Sequence, residues 1–184
     1  PDMDTPLPIR QAAMEALQAG DTHYTANQGT LKLRSGIADY EARTRGLDYC
    51  PDEIIVTAGA TEAIYCALTG ILNPGDEVII PVPAFGLYET VTRLAGAVPV
   101  HLDTARSGFR LTYDELAKAI TPRTKALILN SPNNPTGAVY TKEELEAVSR
   151  AVGDKPVFIL CDDVYRGLCQ DRCPDITEFT QLRN

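Results

Sequence analysis

The sequence has no tryptophan, only two histidines and two methionines, and no long apolar run among its 184 residues. The apolar runs have the length of strands, far below the roughly 20 residues that a membrane-spanning helix needs. No lysine or arginine run offsets the formal net charge of −8. An acidic chain without a basic patch has no general affinity for nucleic acid or anionic membranes. We therefore expect neither a membrane protein nor a nucleic-acid-binding protein.

The cysteines are few and are not spaced for metal binding. They form no C-x-x-C pair and have no histidine at ligand spacing, and they lie at Cys50, Cys66, Cys161, Cys169 and Cys173. This pattern indicates neither a zinc site nor a disulfide framework, and it favours a reducing, cytoplasmic setting.

The composition that remains, 44% hydrophobic and 23% charged, is typical of a soluble globular domain with a real core. The chain begins abruptly with PDMDTPLP and stops at FTQLRN without an evident finishing element. We therefore expect it to be part of a longer protein.

Helical and strand patterns alternate along most of the chain. Amphipathic helices are predicted at 8–19 and 31–45. After them, apolar runs predict strands at 54–56, 78–80, 98–102, 126–129 and 157–160, with helices between them at 61–72, 85–95, 112–120 and 141–152. Apolar strands separated by helices predict an α/β fold of three layers, α/β/α, in which a mostly parallel sheet is covered on both faces.

The segments that leave the carboxyl ends of these strands are the chemically richest parts of the chain. Ligands of open parallel sheets bind outside those ends. The segments are TAGATEA (57–63), PVPAFGLY (81–88), NSPNNPTG (130–137) and CDDVY (161–165).

Two of these segments suggest places for a phosphate and a planar ring. Gly59, Ala60 and Thr61 stand between a strand and a helix, where small residues and free amide groups at a helix start favour a phosphate. A tight turn capped by Thr61 is the ordinary alternative. Phe85 follows the next strand, where its face could stack on a ring, although core packing explains it equally well.

The other two segments carry polar side chains. Asp162 directly follows the apolar run VFILC, where a carboxylate needs a donor or a cation, and a protonated ring nitrogen would serve. Tyr165 lies three residues later and could reach the same ligand. Asn134 offers an amide from a loop that Pro132 and Pro135 stiffen. Taken singly, each residue has a structural explanation; taken together, they suit an aromatic, phosphorylated cofactor.

These motifs resemble those of the class I/II aminotransferases, the fold type I enzymes that use pyridoxal phosphate, and specifically their large domain. The resemblance covers essentially the whole chain, and its most specific part is ITPRTKALILNSPNNPTGAVY (120–140). The other matching segments are PDMDTP, HYTANQG (23–29), GATEA (59–63), NPGDEVIIPVPAF (73–85) and CDDVY.

The resemblance implies a role for each candidate residue. Ala60 and Thr61 would bind the phosphate of pyridoxal 5'-phosphate, and Phe85 would stack on its ring. Asp162 would pair with the ring nitrogen, and Tyr165 would bind the ring hydroxyl oxygen.

Two further residues complete the set that the resemblance implies. Asn134 would bind the ring hydroxyl oxygen together with the tyrosine. Tyr24 is similar to the tyrosine that reaches the phosphate of the neighbouring subunit, which implies a homodimer. Asp162 and Tyr165 are the candidates for a catalytic role.

The sequence departs from the family pattern in one respect. The lysine that binds the cofactor covalently lies in an S-x-S-K context, followed by an arginine segment, and neither is present. All five lysines match non-catalytic positions of the family: Lys32, Lys118, Lys125, Lys142 and Lys155. We therefore expect residues 1–184 to be a partial large domain, without the catalytic-lysine segment and the small C-terminal domain, and inactive alone.

The resemblance implies an enzyme that transfers an amino group between an amino acid and a 2-oxo acid. A pyridoxal-phosphate-dependent β-lyase on the same scaffold is an alternative, because the residues that grip the substrate are missing. A non-catalytic regulatory or interaction domain is a second alternative, since fold alone does not establish function. A nucleotide-binding domain is disfavoured because the glycine fingerprint is absent.

Overall fold

The computed structural model describes residues 3–169 and 174. Within it the chain divides into two compact units, the first ending at Thr57 and the second beginning at Ala58. We call them the N-terminal unit and the sheet unit.

The N-terminal unit contains two helices, α1 (Leu7–Gln18) and α2 (Leu31–Arg45), and a short 3-10 helix at Pro51–Glu53. The Thr30 hydroxyl caps α2 by accepting a hydrogen bond from the Leu33 amide, and Gly46 ends it with a left-handed φ of 68°. Both helices lie where the sequence predicts them. No residue of α1 is buried, although its sequence has an apolar face.

A buried arginine organises this unit. The side chain of Arg34, on α2, donates to the backbone oxygens of Gly29 (3.2 Å) and Pro51 (2.5 Å) and to the carboxylate of Asp52 (3.0 Å). One guanidinium therefore joins α2 to the chain on both sides of it.

The strand predicted at 54–56 is wrong. These residues form no strand, and Ile55 is exposed. The Val56 amide donates to the Gln28 oxygen, but no strand of the N-terminal unit lies within the described residues to pair with this segment. An apolar run becomes a strand only where a neighbouring strand completes its hydrogen bonds.

Within the described residues, the sheet unit contains four strands and four α-helices. The strands are β1 (Glu77–Val82), β2 (Val98–Asp103), β3 (Thr124–Asn130) and β4 (Phe158–Asp162). The helices are α3 (Ala60–Ile71), α4 (Leu87–Leu94), α5 (Tyr113–Ala119) and α6 (Lys142–Val152). The remaining predicted strands and helices are thus present, with ends that differ by a few residues.

Every strand pair in the described sheet is parallel, and the strand order is β2-β1-β3-β4. Alternate side chains of the strands enter two apolar clusters. Ile79, Leu127 and Leu129 join one cluster with residues of α5 and α6, whereas Ile80 and Ile128 join the other with residues of α3 and α4. Helices therefore cover both faces of the sheet, and the predicted α/β/α fold is confirmed.

The order of the strands fixes the position of the site. The chain leaves β1 towards β2 on one side, and it leaves β3 towards β4 on the other. A crevice opens where neighbouring connections diverge in this way, here between the carboxyl ends of β1 and β3.

One expectation about the cysteines fails. Cys50, Cys66 and Cys161 form no disulfide, but Cys169 is disulfide-bonded. The absence of a C-x-x-C pair therefore did not exclude a disulfide.

Candidate functional site

Phe85, in the loop after β1, begins a series of contacts that leads to the end of β4. Its ring is 42% exposed and meets the Tyr88 ring edge-on, with 5.9 Å between centroids. Tyr88 is buried in the first turn of α4, and its hydroxyl donates to Oδ2 of Asp162 at 2.6 Å. The structure thus brings Phe85 and Asp162, both predicted site residues, to one place through Tyr88.

Tyr88 is a neutral hydrogen-bond donor. Burial raises the pKa of its phenol far above the ordinary value, and the nearby carboxylate of Asp162 raises the pKa further. Oδ1 of Asp162 accepts from the Val164 amide at 3.2 Å. Each carboxylate oxygen can accept a second hydrogen bond, so Asp162 is held in place and can still bind a cationic donor.

Asn134 and Tyr165 contact each other. Nδ2 of Asn134 donates to the Tyr165 hydroxyl at 3.3 Å, which joins the loop after β3 to the segment after β4. The two side chains place an amide and a phenol next to each other. Together they could bind one ligand oxygen.

Ala60 and Thr61 form the first turn of α3, which begins after Gly59. Gly59 has a φ of +85°, which favours glycine, and a Cβ added there would meet no atom within 4 Å. No side chain caps this helix start. Ala60 and Asp162 line one open cavity of about 350 Å³ beside the end of β4. No described contact joins Thr61 to the other predicted site residues.

Tyr24 belongs to the N-terminal unit, whereas the other candidates belong to the sheet unit, and its side chain is fully exposed. No described hydrogen bond involves it, so its predicted role for a neighbouring subunit stays a prediction.

Two residues of the site were not predicted from the sequence. Tyr88 stands in the segment PVPAFGLY, but nothing in its local pattern reveals a bond to a residue 74 positions away. Asn130 is the last residue of β3 and is buried. An asparagine at the end of an apolar strand is a detectable signal, because a buried amide must find hydrogen-bond partners.

Metal-ligand clusters and long apolar helices are both lacking among the described residues. No group of three or more histidine, cysteine, aspartate or glutamate side chains there could hold a metal ion. None of the helices in that range is both long enough and apolar enough to cross a bilayer.

Comparison with known proteins relates this geometry to one family. The family model described as aminotransferase class I and II matches residues 1–182. The aspartate/prephenate aminotransferase of Cereibacter sphaeroides is 46% identical over 173 residues, which are 93% of this chain and 43% of that protein.

Two solved structures are also similar. The aspartate aminotransferase of Rhizobium meliloti has a TM-score of 0.94 and 38% identity, covering 100% of this chain and 47% of that one. The aromatic aminotransferase of Pyrococcus horikoshii has a TM-score of 0.90 and 43% identity, covering 96% of this chain and 48% of that one. The chain thus spans less than half the length of these relatives, and it belongs to the class I and II aminotransferases.

Proposed function

We propose that this chain is part of a pyridoxal-phosphate-dependent aminotransferase that transfers an amino group between an amino acid and a 2-oxo acid. The observation that carries this proposal is the convergence of Phe85, Asp162, Asn134 and Tyr165 at the carboxyl ends of the strands. Amino-group transfer agrees with the names of the relatives, which differ in substrate: aspartate, prephenate and aromatic amino acids.

The chemistry of the donor set fits pyridoxal 5'-phosphate. A half-exposed aromatic face, a carboxylate held by two donors and an amide beside a phenol match a flat heterocycle with a basic nitrogen and a ring oxygen. The start of α3, with no side-chain cap and a glycine before it, suits a phosphate. When bound, the cofactor supplies an electron sink for carbanion chemistry.

The residues of this chain would hold and orient that cofactor. Asp162 would accept a hydrogen bond from the ring nitrogen and keep it protonated, because an ionised carboxylate at contact distance stabilises the cationic form. Asn134 and Tyr165 would bind the ring oxygen. Phe85 would cover one face of the ring and exclude water from it, and Ala60 and Thr61 would bind the phosphate.

The covalent attachment of the cofactor requires a lysine that we place outside residues 1–184, which would form a partial large domain. Two of the five lysines already have structural contacts in the sheet unit. Nζ of Lys125 lies 5.3 Å from the Phe158 ring centroid, and Nζ of Lys155 donates to the Ala151 oxygen at 2.9 Å. We give neither of them a catalytic role.

The proposal extends to assembly and location. A homodimer in which Tyr24 reaches the neighbouring site is consistent with a tyrosine whose side chain is fully exposed in a single chain. Cytoplasmic location is supported by three cysteines that form no disulfide, Cys50, Cys66 and Cys161, whereas the disulfide of Cys169 is unusual for a reducing compartment.

Replacement of Asp162 tests the proposal in the natural full-length protein. We expect Asp162→Ala to lower kcat by about 100-fold or more, since a preorganised electrostatic contact to the reacting system is lost. Cofactor retention, followed by the absorption band near about 400 nm, should fall much less. Asp163→Ala is the matched control, because it removes the adjacent carboxylate, to which we assign no role.

Near-normal turnover in Asp162→Ala would contradict the assignment. The products distinguish the reactions: a new amino acid formed from an added 2-oxo acid indicates transamination, whereas release of ammonia and an oxo acid from one substrate indicates a β-lyase. A protein that binds no pyridoxal phosphate would be a non-catalytic relative.

A further inference from the structure

Asn130 is a buried polar residue, and both polar atoms of its side chain form hydrogen bonds. It is the last residue of β3 and is 5% exposed. Its Nδ2 donates to the backbone oxygen of Asp162 at 2.9 Å, and its Oδ1 accepts from the backbone amide of Asn134 at 2.7 Å. One side chain thus joins the backbones of two residues to which we assign cofactor contacts.

We propose that Asn130 is a positioning residue that fixes Asn134 relative to Asp162, and thereby aligns the groups that would bind the ring oxygen and the ring nitrogen of the cofactor. This inference rests on the function proposed above and assigns Asn130 no contact with the cofactor. Because both hydrogen bonds go to backbone atoms, the side chains of Asp162 and Asn134 stay available for the ligand.

The two hydrogen bonds of Asn130 differ in whether the partner atom has a second hydrogen bond. The Asp162 oxygen also accepts from the Ser131 amide at 3.2 Å, so it keeps a partner without Asn130. The Asn134 amide has no other acceptor among the described residues. Loss of the Asn130 side chain should therefore release Asn134 more than Asp162.

The composition of the loop explains why this one bond matters. Pro132 and Pro135 cannot donate backbone hydrogen bonds, so few amides between β3 and Gly137 can anchor the loop. The Asn133 amide bonds within the loop, to Ala138, and the Ser131 amide bonds to β4. The Asn134 amide is thus the donor that ties the candidate ligand-binding position to the end of β3.

Asparagine is well suited to this position because a primary amide offers a donor and an acceptor on adjacent atoms. An aspartate would keep the acceptor for Asn134 and lose the donor to Asp162. An alanine would lose both. An aspartate would also set a buried negative charge against the backbone oxygen of Asp162, so alanine is the cleaner replacement.

The test is a double-mutant cycle in the natural full-length protein, stripped of cofactor and titrated with pyridoxal 5'-phosphate. We expect Asn130→Ala to raise the dissociation constant roughly tenfold, since a buried backbone amide loses its acceptor. Asn134→Ala should raise it by a similar factor. The double variant should be little worse than the worse single variant, because Asn130 acts through Asn134.

Ser131→Ala is the matched control. It removes a buried hydrogen bond in the same loop, the one that the Ser131 hydroxyl accepts from the Tyr140 amide at 3.2 Å, without touching Asn134. Its dissociation constant should stay within about twofold of the natural protein. Circular dichroism establishes that each variant is folded.

The outcomes separate the two proposals. If Asn130→Ala binds normally while Asn134→Ala binds weakly, the positioning role is wrong and the proposed function stands. Fully additive effects of Asn130→Ala and Asn134→Ala would also overturn the positioning role. If the natural protein binds no pyridoxal phosphate, the proposed function fails and this inference fails with it.

Discussion

The two compact units of the chain are stabilised by different kinds of interaction. Among the described residues of the N-terminal unit, Arg34, Ala38 and Leu47 are buried, and the arginine donates to the backbone on both sides of α2. The sheet unit buries two apolar clusters, one on each face of the sheet. Full burial of one large apolar side chain contributes about 1.5–3 kcal/mol. The sheet unit therefore carries the main source of folding free energy.

The two units therefore differ in the interactions on which their stability rests. The sheet unit buries apolar side chains on both faces of its sheet, and these side chains form its core. The N-terminal unit buries few apolar side chains and contains the hydrogen bonds of one buried cation, and α1 leaves its large apolar residues, including Leu17, exposed. Replacements in the two units should therefore differ in how much they lower the free energy of unfolding and in how much of the chain they affect.

The largest expected effect is in the sheet unit. Leu129→Ala, at a fully buried position of β3, should lower the free energy of unfolding by about 2–5 kcal/mol, because it removes apolar contacts and leaves a cavity. Leu17→Ala, the same change on the exposed face of α1, should stay within about 0.5 kcal/mol. Urea denaturation of both variants measures the difference, and equal losses would contradict the comparison.

The next effect is confined to the N-terminal unit. Arg34→Met leaves the Gly29 and Pro51 oxygens without the guanidinium, so we expect local destabilisation of about 1.5–3 kcal/mol. Amide hydrogen exchange should speed up in α2 and stay unchanged in β1 and β3. Arg43→Met, at an exposed position of the same helix, is the control. Faster exchange throughout the sheet would show that the two units do not respond separately.

A smaller effect is expected for the polar contact at the site. Tyr88→Phe keeps the buried ring but removes the hydroxyl that donates to Asp162, which should cost about 1.5 kcal/mol, the low end for a hydrogen bond to a charged group, because Asp162 is only partly buried. Tyr113→Phe, at an exposed tyrosine of α5, should have almost no effect. Thermal denaturation compares the two variants, and an unchanged stability of Tyr88→Phe would remove Tyr88 from the interactions that hold Asp162.

The smallest effect concerns the pH dependence of the sheet unit. Glu77, at the start of β1, accepts hydrogen bonds from Thr121 (2.5 Å) and Arg123 (2.9 and 2.5 Å). The hydrogen bond from Thr121, and then those from Arg123, lower the pKa of this carboxyl below its ordinary value of 4.5.

Because the pKa of Glu77 is lower in the folded state, its ionised carboxylate stabilises the fold at pH values above the ordinary pKa of 4.5. This contribution is lost as the pH falls below about 4.5 and through the lowered pKa. Because Arg123 is largely exposed and water screens its charge, the contribution should be only about 0.5–1 kcal/mol. In Glu77→Gln, the free energy of unfolding should therefore fall by about 0.5–1 kcal/mol less than in the natural protein between roughly pH 5 and pH 3. A curve as steep as that of the natural protein would exclude Glu77 as its source.

The sequence predicts the fold of the sheet unit well because its strands are continuous apolar runs and its helices have clear starts. Thr112 and Thr141, for example, cap α5 and α6 in the pattern that the sequence displays. Residues 54–56 have the same apolar character but form no strand. The difference is that a strand depends on a partner, which a local pattern does not contain.

Some residues of the candidate site can likewise be predicted from the sequence, and others cannot. Asp162 can be selected from the sequence because a carboxylate directly follows an apolar run, and Asn134 can be selected because an amide lies in the loop that leaves β3. Asn130 can be recognised as an amide at the end of an apolar strand, but its partners cannot be predicted, and neither can that of Tyr88. Each depends on a hydrogen bond to a residue that only the folded sheet brings near, 74 positions away for Tyr88 and 32 for the longer Asn130 bond.

The strand order β2-β1-β3-β4 links ligand binding to the stability of the sheet unit. The site residues Phe85, Asn134 and Asp162 follow three different strands, so they come together only when β1, β3 and β4 are paired. A ligand that binds there binds the folded state alone. At a concentration 100 times its dissociation constant, such a ligand adds about 2.7 kcal/mol to the free energy of unfolding. Cells that run short of it would then hold less of the protein in folded form.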